Sequence, residues 1–294
     1  VGPGTGDIQP YHGTGSNYGF AAGGNLPGGT ARIEKIDFSS DGDSTSHGDL
    51  FEDSSEGASA VTTTHGYHMG GYQGPGVSAN YHKFAFANNT TGTDVNNLTG
   101  AKNSMAGHYS TSDGFVSGGH TIRSAIDKFN FASGANATSH GDLTAAGYAG
   151  AGSQSPTHGY NSNHGGNTTG IEKFAFASNV TATNVGTTAV NHSYTSCSSD
   201  GTNCFIMGRN NAGPTPSSIE KFPFASESSV SYHGDLHTSS TNHAGMSATT
   251  HGYIAGGGDT QVDHINKFAY ASNTSGTDVG NLVSNRKGLR GTQY

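Results

Sequence analysis

An all-β, six-bladed β-propeller is the fold that the sequence predicts, and three observations predict it. A lysine-centred apolar segment recurs six times, an aromatic-glycine segment recurs at a fixed distance from it, and the two chain ends supply complementary parts of one copy. A period near 46 residues falls in the range of propeller blades and is too long for one coil of a β-solenoid.

The first segment is set by Lys35, Lys83, Lys128, Lys173, Lys221 and Lys267, spaced 48, 45, 45, 48 and 46 residues apart. Three residues after each stands Phe38, Phe86, Phe131, Phe176, Phe224 or Tyr270. One residue after stands Ile36 or a phenylalanine, at 84, 129, 174, 222 and 268. Two before stands Ile33, Tyr81, Ile126, Ile171, Ile219 or Ile265. Fifteen after come Leu50, Leu98, Leu143, Leu236 and Leu282, with Thr188 in the fourth copy. Side chains two before and one after the lysine fall on opposite pleat faces. A strand that is apolar on both faces is covered on both sides, as a blade between two other blades is. The aromatics three residues after the lysines, together with the leucines, are the predicted core of the repeat.

The second segment is set by Tyr67, Phe115, Tyr160, Phe205 and Tyr253, each 32 residues after a repeat lysine. All but Phe205 follow a glycine, and Gly-Gly pairs come soon after, at 70–71, 118–119, 165–166 and 256–257. Length varies only between these glycines and the next lysine, where a surface loop tolerates it. Each copy reads as three strands separated by turns. The last copy stops 27 residues after Lys267, short of its aromatic, and Asn17-Tyr18-Gly19-Phe20-Ala21-Ala22-Gly23-Gly24 supplies that piece. Both termini are therefore expected in one blade that closes the ring. Residues 16–294 form the propeller in this reading, and residues 1–15 form an arm or linker.

Composition agrees with short strands and many turns. Leu, Ile, Val and Phe together make only 43 of 294 residues, which in isolation reads as disorder. A net charge of -8 is too small to hold the chain open, and the apolar residues are periodic. The 47 glycines suit tight turns. No apolar run approaches the roughly 20 residues of a spanning helix. With 13 Lys and Arg against 21 acidic residues there is no basic surface for phosphates, so neither nucleic-acid binding nor membrane insertion is expected. The chain opens Val-Gly-Pro-Gly with neither an initiator Met nor a signal peptide, so processing or a missing upstream region is expected. Cys197 and Cys204 flank a turn-like insert, and a hairpin-closing disulfide and a pair of reduced thiols are both open readings. An acidic residue precedes several repeat lysines (Glu34, Asp127, Glu172, Glu220), which predicts solvated charge pairs worth well under about 1 kcal/mol.

The run His251-Gly252-Tyr253-Ile254-Ala255-Gly256-Gly257, then Ile265-Asn266-Lys267-Phe268-Ala269-Tyr270, resembles Kelch-type propeller repeats, although the Kelch tryptophan is missing. More closely, the copies are similar to tandem repeats of the form Ile-Asp-Lys-Phe-x-Phe-Ala-Ser, Gly-Asp-Leu and Thr-His-Gly-Tyr. Such repeats occur in virion-structure proteins of marine tailed bacteriophages, and Lys128 to Tyr160 is the best match. The resemblance covers nearly the whole chain. It implies a tail, fibre or capsid-associated role, a virion or extracellular location, and no catalytic residue.

Odd and even copies differ in a regular way. Twelve residues after the lysine, odd copies carry His47, His140 and His233, and even copies carry Val95, Val185 and Val279. Fourteen after, Asp49, Asp142 and Asp235 face Asn97, Thr187 and Asn281. Thirty after, odd copies carry His65, His158 and His251 against Asp113 and Asn203. Three readings are open. Two histidines and one carboxylate are a ligand set for Fe, Zn or Ni, if the turns meet in space. The alternation also suits a partner of three-fold or six-fold symmetry. It is equally explained by duplication of a two-blade unit whose His and Asp bond turn backbones.

The expected function is non-enzymatic: a virion structural or adhesive protein presenting a propeller face for assembly or for attachment to a host-surface glycan. No cofactor is called for. The alternatives are a propeller enzyme of the oxidase or glycosidase kind and a secreted interaction module. Arg32, Arg123, Arg209, Arg286 and Arg290 share no repeat position, unlike the arginine cluster of a sialidase. Fold alone does not decide among these. The two-faced strand makes one direct prediction: Phe129→Ala costs about 3–5 kcal/mol in urea unfolding, and a loss below about 1 kcal/mol rejects its burial.

Overall fold

The computed structural model describes residue 15 and residues 17–25, 29–74, 76–120, 123–162, 169–191, 193–208, 217–258 and 260–294. Six four-stranded antiparallel sheets stand as blades around one axis. The innermost strands are Ala58–Val61, Ala106–Tyr109, Ala151–Gln154, Ser196–Ser199, Ala244–Ser247 and Arg290–Gln293, and each touches the next to form a closed ring. Numbering blades by their repeat lysine, blade 1 takes Arg290–Gln293 from the C-terminal end and Tyr18–Ala22, Arg32–Asp37 and Thr45–Asp49 from the N-terminal end. The expected ring closure is thus present, with Phe20 opposite Thr292 and Gly19 opposite Gln293. The arm expected over residues 1–15 lies outside the described residues except for Gly15, whose N–H donates to the Ser247 carbonyl at 2.6 Å.

The two sequence anchors prove to be cross-strand partners in every blade. Phe20, Tyr67, Phe115, Tyr160, Phe205 and Tyr253 stand opposite Lys35, Lys83, Lys128, Lys173, Lys221 and Lys267. The glycine before the aromatic then faces the phenylalanine after the lysine, whose ring lies across it. A Cβ on Gly114 would meet Phe129 Cζ at 2.2 Å, so only glycine fits there.

Each second-strand aromatic points into the following blade and is gripped by that blade's two apolar residues. Phe115 stacks on Phe176 at 4.5 Å between centroids and meets Phe174 at 5.9 Å. Phe20 does the same with Phe86 and Phe84 at 4.8 and 5.9 Å, and Phe205 with Tyr270 and Phe268 at 4.6 and 5.7 Å. Around the closure, Tyr253 stacks on Phe38 at 4.5 Å. Offset aromatic pairs of this kind contribute about 0.5–1.5 kcal/mol each beyond area burial. The predicted core leucines are all buried, and Thr188, which replaces the fourth, is buried with its hydroxyl donating to the carbonyls of Thr169 and Val190.

The reading of three strands per copy missed the fourth, innermost one. Its second residue is small (Ser59, Gly107, Gly152, Cys197, Gly245 or Gly291) because backbones meet at the axis: a Cβ on Gly107 would lie 2.1 Å from Ser59 O, and one on Gly291 2.0 Å from Gly245 O. Just before each innermost strand a residue adopts a left-handed backbone: Glu56, Ser104, Ala149, Tyr194, Asn242 and Gly288, with φ of 56, 55, 60, 58, 56 and 74°. Their backbones form a closed cycle. Ser104 N–H donates to Glu56 O at 2.6 Å, Ala149 to Ser104 at 2.7 Å, and Tyr194 to Ala149 at 2.8 Å. Asn242 donates to Tyr194 at 2.8 Å, Gly288 to Asn242 at 2.7 Å, and Glu56 closes the ring on Gly288 O at 2.8 Å. Five residues with side chains are held where a left-handed backbone is unfavourable by roughly 1–2 kcal/mol each, offset by one hydrogen bond per blade.

The acids before the lysines are not solvated. Glu34, Asp127, Glu172 and Glu220 are buried because their pleat face lies in the seam with the preceding blade. There they accept backbone N–H groups from the residue after each repeat leucine or Thr188: Val283 to Glu34 at 2.8 Å, Thr99 to Asp127 at 3.1 Å, Thr144 to Glu172 at 2.8 Å and Ala189 to Glu220 at 3.2 Å. Two also gain a buried cation, Lys102 on Asp127 at 2.8 Å and Arg286 on Glu34 at 2.8 Å. The second pair sits in the closing seam, where Arg286 Nη1 also donates to the carbonyls of Gly23 and Arg32. Burial lowers the Arg286 pKa to about 10, with Glu34 opposing the shift, so the guanidinium stays charged at neutral pH. Arg286→Met leaves Glu34 buried and unpaired and is expected to cost about 3–5 kcal/mol in denaturant unfolding, whereas Arg286→Met with Glu34→Gln recovers most of that loss.

Candidate functional site

The repeat lysines, the turns joining innermost to second strands and the loops joining third to outer strands share one face of the ring. The odd-even alternation can be followed on this face and in the seams below it. His47, His140 and His233 lie on outer strands of odd blades and are buried. Each Nε2 donates across the seam to a carbonyl of the next blade, Ala85, Ala175 or Ala269, at 2.9, 2.8 and 2.9 Å. Their rings rest on Phe20, Phe115 and Phe205 at 4.7, 5.0 and 4.8 Å. These three join blades. Val95, Val185 and Val279 fill the corresponding seams after even blades with methyl groups.

Asp49 and Asp235 end their outer strands, and Asp142 lies at the same point of the longer strand Thr138–Gly147. Their backbone carbonyls accept Gly92, Ala182 and Gly276 N–H at 2.7, 2.8 and 2.7 Å, and Asn97, Thr187 and Asn281 do the same in even blades. The Asp142 carboxylate accepts Ser124 Oγ at 2.8 Å, and that of Asp235 accepts Ser217 Oγ and Tyr232 OH at 3.2 and 2.6 Å.

His65, His158 and His251 belong to different blades from the histidines 18 residues before them, because the chain crosses from an odd outer strand to the second strand of the next, even blade. They are half-buried at the face, each with Nδ1 2.8 Å from the preceding threonine hydroxyl, Thr64, Thr157 or Thr250. Burial holds all three below the ordinary imidazole pKa, and Lys83, Lys173 and Lys267 add to that depression. Glu227 and Asp41 oppose it at His158 and His251. In odd blades the corresponding residues are Tyr18, Asp113 and Asn203, and the aromatic two residues on is Phe rather than Tyr. The face therefore carries a threonine-histidine-tyrosine-lysine cluster on every second blade. Thus the three members of each sequence triplet are a seam clamp, a rim turn and a face residue. Among the described residues no group of three or more His, Cys, Asp and Glu is arranged to hold a metal ion.

The axis offers little room. The ring of Ser59, Gly107, Gly152, Cys197, Gly245 and Gly291 is a waist between two cavities of about 70 Å³ each. Arg290 and His243 line one, and Tyr109, Gln154 and Gln293 the other. Each holds about two waters, not a sugar or a peptide. Arg290 turns its Nε to the Gly57 carbonyl and its Nη1 to Leu289 O. The Cys197 and Cys204 thiols are unbonded with sulfurs 3.1 Å apart, and burial raises the Cys197 pKa well above that of a free thiol. No family model matches the chain, and neither does any curated protein.

Four further histidines, absent from the sequence pattern, are buried in the seams. His68 and His82 stack at 5.3 Å with rings 4° apart. His108 bridges Ser153 O and Ser117 Oγ at 2.9 and 2.8 Å, and His243 meets Ser196 Oγ at 2.7 Å. Burial lowers His68 well below the ordinary value, His82 and His108 to about 4 and His243 to about 3. A folded pKa below the unfolded value of 6.5 means that the unfolded chain binds more protons in between. Stability is therefore complete above pH 6.5 and falls as the pH drops towards 4. Each buried imidazole contributes roughly 1–2 kcal/mol of loss by pH 5. The urea midpoint is expected to fall steeply from pH 6.5 to 5, and His108→Gln to flatten that slope by about a quarter. A midpoint flat over this range rejects neutral burial of these rings.

Proposed function

We propose that the chain is a non-enzymatic docking module that uses the face bearing the threonine-histidine clusters to seat on a partner of three-fold or six-fold symmetry. The observation that carries this reading is the disposition of Thr64-His65, Thr157-His158 and Thr250-His251. They repeat on every second blade, are half-exposed, and take no part in the seam packing that accounts for the other alternating histidines. The narrow axis supports it, since the two cavities that the described residues form there are water-sized. The Kelch-like repeat and the likeness to phage repeat proteins favour a virion as the setting, with the ring in a tail, fibre or capsid assembly or presented to a host-surface glycan.

Cryo-electron microscopy of the native particle tests the reading. The ring is expected with its axis on a three-fold or six-fold axis of the assembly and the threonine-histidine face in contact. A ring off every such axis, or one seated by its opposite face, overturns it.

A further inference from the structure

The three half-exposed histidines stand beside three clusters made of one set of residues, and two of these are completed within the chain. Between blades 6 and 1, Lys267 Nζ lies 3.0 and 2.9 Å from the two carboxylate oxygens of Asp41, and the Tyr253 hydroxyl donates to Asp41 Oδ1 at 3.3 Å. Between blades 4 and 5, Glu227 Oε1 accepts Lys173 Nζ at 2.6 Å and the Tyr160 hydroxyl at 3.3 Å. Asp41 and Glu227 each stand six residues after a repeat lysine, at the same point of the loop joining third and outer strands.

Between blades 2 and 3 the same places are held by Lys83, Tyr67 and, in the loop, Gly134. The loop backbone is alike in all three, with φ of 56° at Asp41, 48° at Glu227 and 58° at Gly134. The ring contact beneath is alike as well, with Tyr67 on Phe131 at 4.8 Å and Tyr160 on Phe224 at 4.8 Å. At this loop position the carboxylate is absent. Among the described residues no acidic side chain pairs with Lys83 and none accepts the Tyr67 hydroxyl. A side chain is sterically conceivable there: a Cβ on Gly134 would press on Val95 Cγ1 at 3.1 Å, which a small shift of the valine side chain relieves, and Asp41 and Glu227 hold the same left-handed backbone. The chain thus displays twice, with its own side chains, the carboxylate that its third cluster lacks.

We propose that Lys83 and Tyr67 bind a carboxylate from outside the chain, carried by an acidic sugar. The two completed clusters define the chemistry, an ammonium and a phenol converging on one carboxylate, which is a charge-assisted arrangement. The surroundings favour a sugar over an acidic peptide. The two flanking loops present Thr62, Thr64, His65, Ser133 and Asn136, all at least partly exposed. These match sugar hydroxyls, and among the described residues none of the large exposed apolar side chains belongs to these two loops. This inference rests on the docking reading for the choice of face and names the chemistry of one ligand on it.

The test uses the whole chain and follows the His65 ring by NMR during titration with sodium glucuronate, with glucose and sodium acetate in parallel. Glucuronate is expected to move His65 and raise its pKa at concentrations on the order of 1–10 mM. Acetate should act more weakly, glucose should leave the ring unmoved, and His158 and His251 should serve as silent controls. Lys83→Met should weaken glucuronate at least about tenfold, the loss of one charge-assisted contact. Gly134→Glu should abolish binding and raise the His65 pKa without ligand, by installing the internal carboxylate of the other two clusters. A His65 unmoved by every carboxylate, an equal response to glucose, or full binding by Gly134→Glu overturns the site. Tighter binding of a glutamate-rich peptide than of glucuronate overturns its assignment to a sugar. The docking reading is decided separately, by where the ring sits in its particle.

Discussion

The insertion of one blade's aromatic ring between two apolar residues of the next blade is the contact on which the ring depends. It is made six times, and it fixes three other features. The residue before the aromatic must be small, because the cross-strand phenylalanine lies over it, as at Gly114 and Phe129. The lysine opposite the aromatic must keep its ammonium at the face, where it lies above the ring, as Lys128 does over Phe115 and Lys267 over Tyr253, both at 5.6 Å. The strand carrying the two gripping residues must be apolar on both pleat faces. A chain with few large aliphatics can fold on this plan because its apolar surface is concentrated in flat seams. Protein interiors are close-packed, and here the axis reaches contact distance through bare backbone instead of large side chains.

That division of labour decides what could be read from the amino acids. The aromatic and lysine anchors were legible because a specific ring must occupy a specific seam. The innermost strand was not, although the left-handed residue before it always stands 21 residues after the repeat lysine. Glu56, Ser104, Ala149, Tyr194, Asn242 and Gly288 share a backbone conformation and a cycle of hydrogen bonds, but no side-chain character. A position defined by its N–H and C=O leaves no signal in residue type. The buried acids were misread for a related reason. Glu34 and Asp127 sit beside a lysine in sequence, yet their cations, Arg286 and Lys102, come from the preceding blade.

The candidate site shows the same limit. A metal-like triplet of His47, Asp49 and His65 is continuous in sequence because the repeat was counted from its lysine. The blade boundary falls between Asp49 and His65, so the unit of sequence and the unit of structure are out of phase. The threonine-histidine pairs were visible as a pattern, while Tyr67, Tyr160 and Tyr253 were visible only as core aromatics. Their hydroxyls acquire meaning once the following blade's loop is laid beside them.

Alternation inside the seams and alternation on the face call for different explanations. His47, His140 and His233 replace a valine by an imidazole that bonds a carbonyl and covers a ring, so packing accounts for them completely. Either choice joins two blades, and duplication of a two-blade unit preserves whichever was present. Thr64-His65 and its two counterparts spend their hydrogen bond on each other and leave the ring edge at the surface. Packing gives no reason for histidine there in even blades and Tyr, Asp or Asn in odd ones. Duplication explains why three copies began alike. It does not explain why the loops beside them carry a carboxylate at Asp41 and Glu227 and none at Gly134, while the left-handed backbone at that point stays the same. Removing an internal carboxylate while retaining its lysine and tyrosine gives up an ion pair that, half-exposed, was worth little to stability. The stability cost of that change is therefore small, and its main consequence is to leave one of three equivalent clusters open to a ligand.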